Sequence, residues 1–202
     1  MLDHLALAGK PFAEQRGTLE AMIRGEAALM EILAGIRELP QGLLVSGAIY
    51  NLAWNRLTGR PALNGVADID VFYFDPDDLS YEGEDAVIRR LAIRFSQSPL
   101  PVQVRNQARV HLWFEQKFGC PFAPLRSADE MLTRFASRTH AVGARFNESG
   151  QMEIVAPFGL DDIFSFRIVP NHALDNRKAH EAKAARARSV WPELTIVPWD
   201  AT

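Results

Sequence analysis

Two aspartates one residue apart, Asp68 and Asp70, open an otherwise apolar run, Ile69-Asp70-Val71-Phe72-Tyr73-Phe74. So many β-branched and aromatic residues predict a strand from Asp68 to Phe74. Successive strand residues point to opposite faces, so both carboxylates leave one side, roughly 6 to 7 Å apart along the strand. An acidic pair opening so apolar a strand needs a positive partner. Its oxygens suit one or two hard cations such as Mg2+, with Mn2+ as an alternative, the usual apparatus for moving phosphoryl or nucleotidyl groups. The competing reading is a charged strand entrance that resists wrong pairing.

The residues upstream bear on that choice. Gly42-Leu43-Leu44-Val45-Ser46-Gly47-Ala48 reads as a short buried strand entering a small-residue turn, and Ile49 to Leu57 has the apolar spacing of a helix. A strand, a tight turn and a helix N-terminus form an anion cradle, because glycine lets a phosphate approach free backbone amides. Ser46 adds a hydroxyl. A Ser-Gly turn alone usually just reverses the chain, but one followed about twenty residues later by Asp-x-Asp on a second strand is specific.

These segments, Val45 to Asn51, Thr58-Gly59-Arg60 and Asp68-Ile69-Asp70-Val71, resemble the nucleotidyltransferase superfamily. The middle of the chain is more closely similar to a bacterial nucleotidyltransferase-like family, through Val104-Arg105-Asn106-Gln107-Ala108-Arg109-Val110-His111-Leu112-Trp113 and Ala156 to Phe164. The likeness spans about residues 42–170, with Trp191-Pro192 as a further point. It implies an α+β fold, a mixed β-sheet flanked by helices. It also implies Mg2+ on Asp68 and Asp70 and a nucleoside triphosphate over Ser46, Gly47 and Asn51.

The superfamily adds a third carboxylate from a neighbouring strand, where this chain has Gln103 in Val102-Gln103-Val104. An amide oxygen ligates a metal without contributing charge, so two-metal binding weakens. Asp161 and Asp162 are candidates to compensate. Tyr50-Asn51 stands where the branch acting on RNA ends carries Arg-Asp, removing a bidentate anion ligand.

Three residues after the third expected strand, Leu100 to Arg105, are further candidates. Asn106 either caps the next helix or joins the substrate site. Arg109 is placed to hold phosphate and His111 to move a proton.

Composition sets outer bounds. The chain has 202 residues, 48% of them hydrophobic, enough for a proper core in a soluble globular protein. A net charge of -3 argues against general coating of nucleic acid. Cys120 is the only cysteine, which excludes an internal disulfide and a cysteine-based zinc site. The start Met1-Leu2-Asp3-His4 lacks the pattern of a targeting signal and no run is long enough to span a membrane, so the cytoplasm is the expected location.

Apolar spacing predicts one long or broken helix over residues 12–38, read as core packing or a partner surface, and an amphipathic helix from Glu82 to Ser96 whose arginines face solvent. Ser127 to Ser137 reads as a helix, Asn147 to Gly150 as a hairpin turn and Asp161-Asp162 as the start of a short helix. Residues 176–188 form the most basic stretch, read either as a solvated helix or as a surface for nucleotide phosphates or RNA.

The expected organisation is an N-terminal helical segment, 1–40, a nucleotidyltransferase-like core, 41–170, and a C-terminal helix and tail, 171–202. The expected activity is Mg2+-dependent transfer of a nucleotidyl group to an acceptor hydroxyl on a small molecule, RNA or protein. Two rival readings are a catalytically degenerate nucleotide-binding module and a partner protein, self-associating through its N-terminal helix.

Overall fold

The structure, a computed structural model, describes residues 3–201; Met1, Leu2 and Thr202 lie outside the described residues. A five-stranded mixed sheet forms the centre, with strand order β3-β2-β1-β4-β5. Its strands are β1 (Leu43–Val45), β2 (Ile69–Tyr73), β3 (Val102–Asn106), β4 (Gly143–Phe146) and β5 (Met152–Val155). β2 and β3 are parallel and the remaining pairs antiparallel.

The period of two along each strand sorts the sheet into two unlike faces. Val104, Val71, Leu44, Ala144 and Ile154 stand in register across all five strands, and every one is buried. This row faces the main core. The adjacent row, on the opposite face, is Gln103, Asp70, Val45, Gly143 and Val155. A Cβ at Gly143 would stand 2.9 Å from Leu43 Cγ, so this row closes against its neighbour only with glycine there.

Helices cover the first face. The expected N-terminal helix is broken: α1 (Phe12–Arg24) ends at Gly25 and α2 (Ala27–Gly35) follows, running into a 3-10 turn at Ile36–Glu38. α3 (Gly47–Thr58) lies beneath β1, and α4 (Tyr81–Arg94) connects β2 to β3, the helical crossover that a parallel pair requires. Arg89, on its outer face, pairs with Asp85, while Arg90 and Arg94 reach Glu38. α5 (Val110–Phe118) follows β3. Asp129–Arg134 is a 3-10 helix, shorter than the helix expected there, although Ser127 Oγ does accept from the Glu130 amide at its start. The hairpin turn at Asn147 to Gly150 falls between β4 and β5 as expected.

The C-terminal stretch returns to this core. α6 (Asp161–Phe164) precedes β6 (Arg167–Ile168), and α7 (Arg177–Val190) precedes β7 (Thr195–Ile196), the last two strands pairing in parallel. Trp191, at the end of α7, is 2% exposed, with its ring centroid 5.2 Å from that of Trp54. Its indole Nε1 donates to Asn55 Oδ1 at 2.9 Å, and Asn55 Nδ2 in turn donates to the carbonyls of Ala62 and Asn64. Gly65 lies against the ring: its φ is +73°, and a Cβ would come within 2.6 Å of Trp191. The loop leading to the acidic strand is thereby stitched to the C-terminal helix.

Replacing Trp191 with alanine is expected to cost about 3 to 5 kcal/mol of stability, the range for a buried large aromatic. Urea unfolding followed by circular dichroism measures it; a loss below 1 kcal/mol would contradict the packing described.

Candidate functional site

The site is built where β1, α3, β2 and β3 meet. β1 ends at Val45, and Ser46 turns the chain into α3 with φ 62° and ψ -119°, a conformation glycine adopts freely and serine only under strain. The Ser46 amide donates to Val142 O at 2.8 Å, and its carbonyl accepts from Ile49 and Tyr50. The amides of Gly47 and Ala48, first in the helix, have no acceptor among the described residues. A Cβ on Gly47 would meet nothing closer than 3.7 Å, so the small residue leaves the turn open rather than filling a tight contact. Asn51, one turn along, is 6% exposed, and its Oδ1 has no partner among the described residues.

Asp70 lies opposite Val45 on one side and Gln103 on the other. Gln103 Nε2 donates a short hydrogen bond to Asp68 Oδ2, so the residue at the third-carboxylate position touches the acidic pair directly. Burial pushes the Asp70 carboxyl above its usual range, the charge of Asp68 adds to the rise, and Lys183 and Arg105 oppose it. Among the described residues no cluster of three His, Cys, Asp or Glu is arranged to hold a metal ion.

The positive partner supplied by the chain comes from α7. Lys183 still reaches solvent, yet its amine stands in a concave surround of protein that lowers its pKa; Asp70 is the largest influence in the other direction, Arg186 lowers it and Asp68 raises it. Lys183 and Arg186 are three residues apart on one helix face. α7 is held in place by Trp191 and by His180, whose Nδ1 lies 2.8 Å from Ser137 Oγ and whose Nε2 is 3.3 Å from Val197 O. The carbonyl requires the ring proton on Nε2, so Nδ1 accepts from the serine.

Tyr50 and His140 form the inner wall. Their rings stack with centroids 4.6 Å apart and planes 21° apart. Burial pushes the Tyr50 hydroxyl up to about 12; the side chain of Ser46 and then Arg186 pull it down, while Asp70 and Asp68 add to the rise. His140 is 2% exposed and its Nε2 has no partner; burial, then Lys183, His180 and Arg186, push it down to about 3.

Three expected site residues stand elsewhere. β2 and β3 are parallel, and Asn106 is in register with Tyr73, three residues beyond the Asp70 level and about 10 Å along the strand. Asn106 is a structural joint: its Oδ1 accepts from the amides of Asp75 and Ala108, its Nδ2 donates to Asp75 O, and its own amide donates to Glu84. Arg109 is committed to Glu84 and to Leu79 O. His111 follows in α5, at that same far end of β3. The sequence places these residues correctly after the third strand, but the strand carries them away from the acidic pair.

Asp161 and Asp162 are also occupied. Asp161 Oδ1 accepts from the Gly9 amide at 2.6 Å and from Gln15 Nε2 at 3.0 Å, tying the N-terminal segment to α6. Asp162 lies 3.9 Å from Arg167. The structure adds Lys183, Arg186, Tyr50 and His140 to the surroundings of the acidic pair. The basic face of residues 176–188 was the available signal for the first two.

A family model of nucleotidyltransferases matches residues 34–196, most of the chain and every element of the five-stranded sheet with α3 to α7. The chain belongs to the nucleotidyltransferase family. Among solved structures, it is similar to one determined by NMR and described as revealing a CCA-adding enzyme head domain, with a TM-score of 0.72 and 29% identity over 89% of this chain and 94% of that one. Comparison with curated proteins gives no match. No helix among the described residues of this nucleotidyltransferase-family chain is long and apolar enough to cross a membrane.

Two measurements test these placements. Asn106→Ala strands buried amides and a carbonyl, and is expected to cost about 3 kcal/mol in urea unfolding; a neutral result would remove its structural role. His140 has a lower pKa folded than unfolded. Below its ordinary value of 6.5 the unfolded chain therefore binds a proton that the folded chain refuses, and stability falls as pH falls towards 3. His140→Gln should flatten the slope of unfolding free energy between about pH 6 and 5 by about 1 kcal/mol per unit. An unchanged slope would place His140 in contact with water.

Proposed function

We propose that this chain transfers a nucleotidyl group from a nucleoside triphosphate to an acceptor hydroxyl, in a Mg2+-dependent reaction carried by Asp68 and Asp70. The observation carrying the reading is the acidity at the mouth of β2: two carboxylates on one face, Asp70 pushed above its usual range by burial and by Asp68, beside a small-residue turn with open amides. Family membership supports the reaction class. Two carboxylates and the amide of Gln103 offer oxygen donors suited to a hard cation once the glutamine turns its oxygen inward. When bound, Mg2+ (or Mn2+) would neutralise the pair and the triphosphate charge.

The chain's own residues then divide the work. The Gly47 and Ala48 amides and the Ser46 hydroxyl receive phosphate oxygens at the N-terminus of α3. Lys183 and Arg186 hold the triphosphate from the opposite side, so that Lys183 faces the phosphates as well as Asp70. Asn51 Oδ1, buried without a partner, is placed to accept a hydrogen bond at the edge of this cradle. The acceptor oxygen bonds to the α-phosphorus, the bond from that phosphorus to the oxygen bridging to the β-phosphate breaks, pyrophosphate leaves, and the hydroxyl proton passes to water. Positioning and charge neutralisation supply the rate.

Gln103 favours a second reading, a nucleotide-binding module that retains the fold and has lost turnover, because a neutral amide holds fewer metal ions than a third carboxylate.

Thermal unfolding with each of the four nucleoside triphosphates, with and without Mg2+, tests the site. A metal-dependent rise is expected with at least one nucleotide in the parent and in neither Asp68→Asn/Asp70→Asn nor Lys183→Ala; 100-fold saturation would stabilise by about 2.7 kcal/mol. No shift with any nucleotide sinks the proposal. Gln103→Glu separates the two readings: turnover already present in the parent favours the enzyme, and turnover gained only in the variant favours the degenerate module.

A further inference from the structure

The large cavity of this molecule lies away from the acidic pair. It measures about 1180 Å³, and its lining includes Arg134, Arg138, Arg167, Phe158, His172 and Trp199. Three guanidinium groups in one concavity need anions, and the chain provides few. Asp162 serves both Arg167, at 3.9 Å, and Arg138, whose charge opposes the upward push of burial on that carboxyl. Glu130 serves Arg134 and also Arg126, each at 3.5 Å. Asp200, at the rim, is taken by Arg177 at 2.9 Å. Among the described residues Arg138 makes no ion pair and no side-chain hydrogen bond; its guanidinium rests over the Phe158 ring, 5.2 Å from the centroid.

The apolar side of the cavity is aromatic. Phe158 is half-buried, packed in a cluster with Leu43, Val45 and Phe72 on the same sheet face as Asp70. Trp199 is also half-buried, edge-on to His172 with centroids 4.6 Å apart, and His172 Nε2 lies 2.8 Å from the Trp199 carbonyl. Guanidinium groups beside aromatic rings suit a ligand of alternating phosphates and planar bases. A small phosphate ester needs neither the volume nor both rings.

The cavity borders the sheet face that carries the acidic pair: Phe158 packs with Leu43, Val45 and Phe72, and Val45 is the cross-strand neighbour of Asp70. Phe158 and Trp199 line the cavity as two separate rings, which suits a strand of more than one nucleotide.

We propose that the cleft between Arg138, Arg167, Phe158 and Trp199 binds the acceptor, and that the acceptor is the end of a single-stranded polynucleotide. Its phosphates pair with Arg138 and Arg167, its bases stack on Phe158 and Trp199, and its terminal hydroxyl extends along the sheet face towards Asp70. The acceptor role rests on the reading of Asp68 and Asp70 as the transfer site; the binding itself does not.

Fluorescence anisotropy of a labelled hexa-adenylate RNA, without nucleoside triphosphate or Mg2+, tests it on the full chain. The parent and Asp68→Asn/Asp70→Asn should bind alike, so a failed transfer reaction leaves this result intact. Arg138→Ala/Arg167→Ala should weaken binding at least tenfold, with Arg138→Lys/Arg167→Lys recovering part of the loss. The slope of log affinity against log salt should fall by about 1.4 in the alanine variant, the value for two single-strand phosphate contacts. Trp199→Leu should weaken binding with the salt slope unchanged. Circular dichroism checks that each variant is folded. The proposal is overturned by absent saturable binding in the parent, by equal affinity in the folded alanine variant, or by inorganic pyrophosphate binding as tightly as the RNA, which would reduce the cleft to a general anion site.

Discussion

Asp70 shares its cross-strand row with Gln103, Val45, Gly143 and Val155, none of which carries a charge. A carboxylate held there, with a second one next to it at Asp68, receives only the partial compensation of Arg105 from the sheet itself. Hydrogen bonding from Gln103 satisfies one oxygen of Asp68 but brings no positive charge. The counter-charge nearest Asp70 comes from α7, more than a hundred residues later, through Lys183, with Arg105 a smaller contribution from β3. The geometry of the C-terminal part follows from this need: α7 must sit over the mouth of β2, and Trp191, His180 and the Asn55 bridge are what keep it there.

The two faces of the sheet divide the labour between stability and chemistry. The row of Val104, Val71, Leu44, Ala144 and Ile154 is wholly apolar and continues into the cluster that holds α1, α2, α3 and α7 together. The other face has smaller apolar clusters and carries the polar groups. Ion pairs there are local: Arg145 is held between Asp129 at 2.6 Å and Glu153 at 2.8 Å, which leaves it unavailable to a ligand. Arg138 and Lys183, by contrast, are cations with little or distant compensation, and they lie near the two regions where anionic ligands are proposed.

The sequence made the acidic strand, the small-residue turn before it and the mixed α+β architecture legible, because each rests on local spacing and on the family likeness. The Gln103 position was also legible, since a strand neighbour in register needs only the right strand to be named. Distances along the sheet were not. Asn106, Arg109 and His111 follow β3 closely in sequence, and nothing in their pattern reveals that the parallel pairing with β2 carries them to the far end. Asp161 and Asp162 were hard to place for a different reason: their partners, Gly9, Gln15 and Arg167, are set by tertiary packing with no local trace. Lys183 looked like one of several solvated basic residues, and only the docking angle of α7 distinguishes it from Lys178 or Arg188.

The stitch between Gly65 and Trp191 has a consequence for the order in which the protein is made. The acidic strand is synthesised well before the helix that neutralises it and the tryptophan that clamps its entry loop. A nascent chain still waiting for α7 to leave the ribosome carries Asp68 and Asp70 next to an entry loop without its anchor, and lacks the charge of Lys183. The clamp on the entry loop and the Lys183 counter-charge thus arrive together, with the last part of the chain to be made.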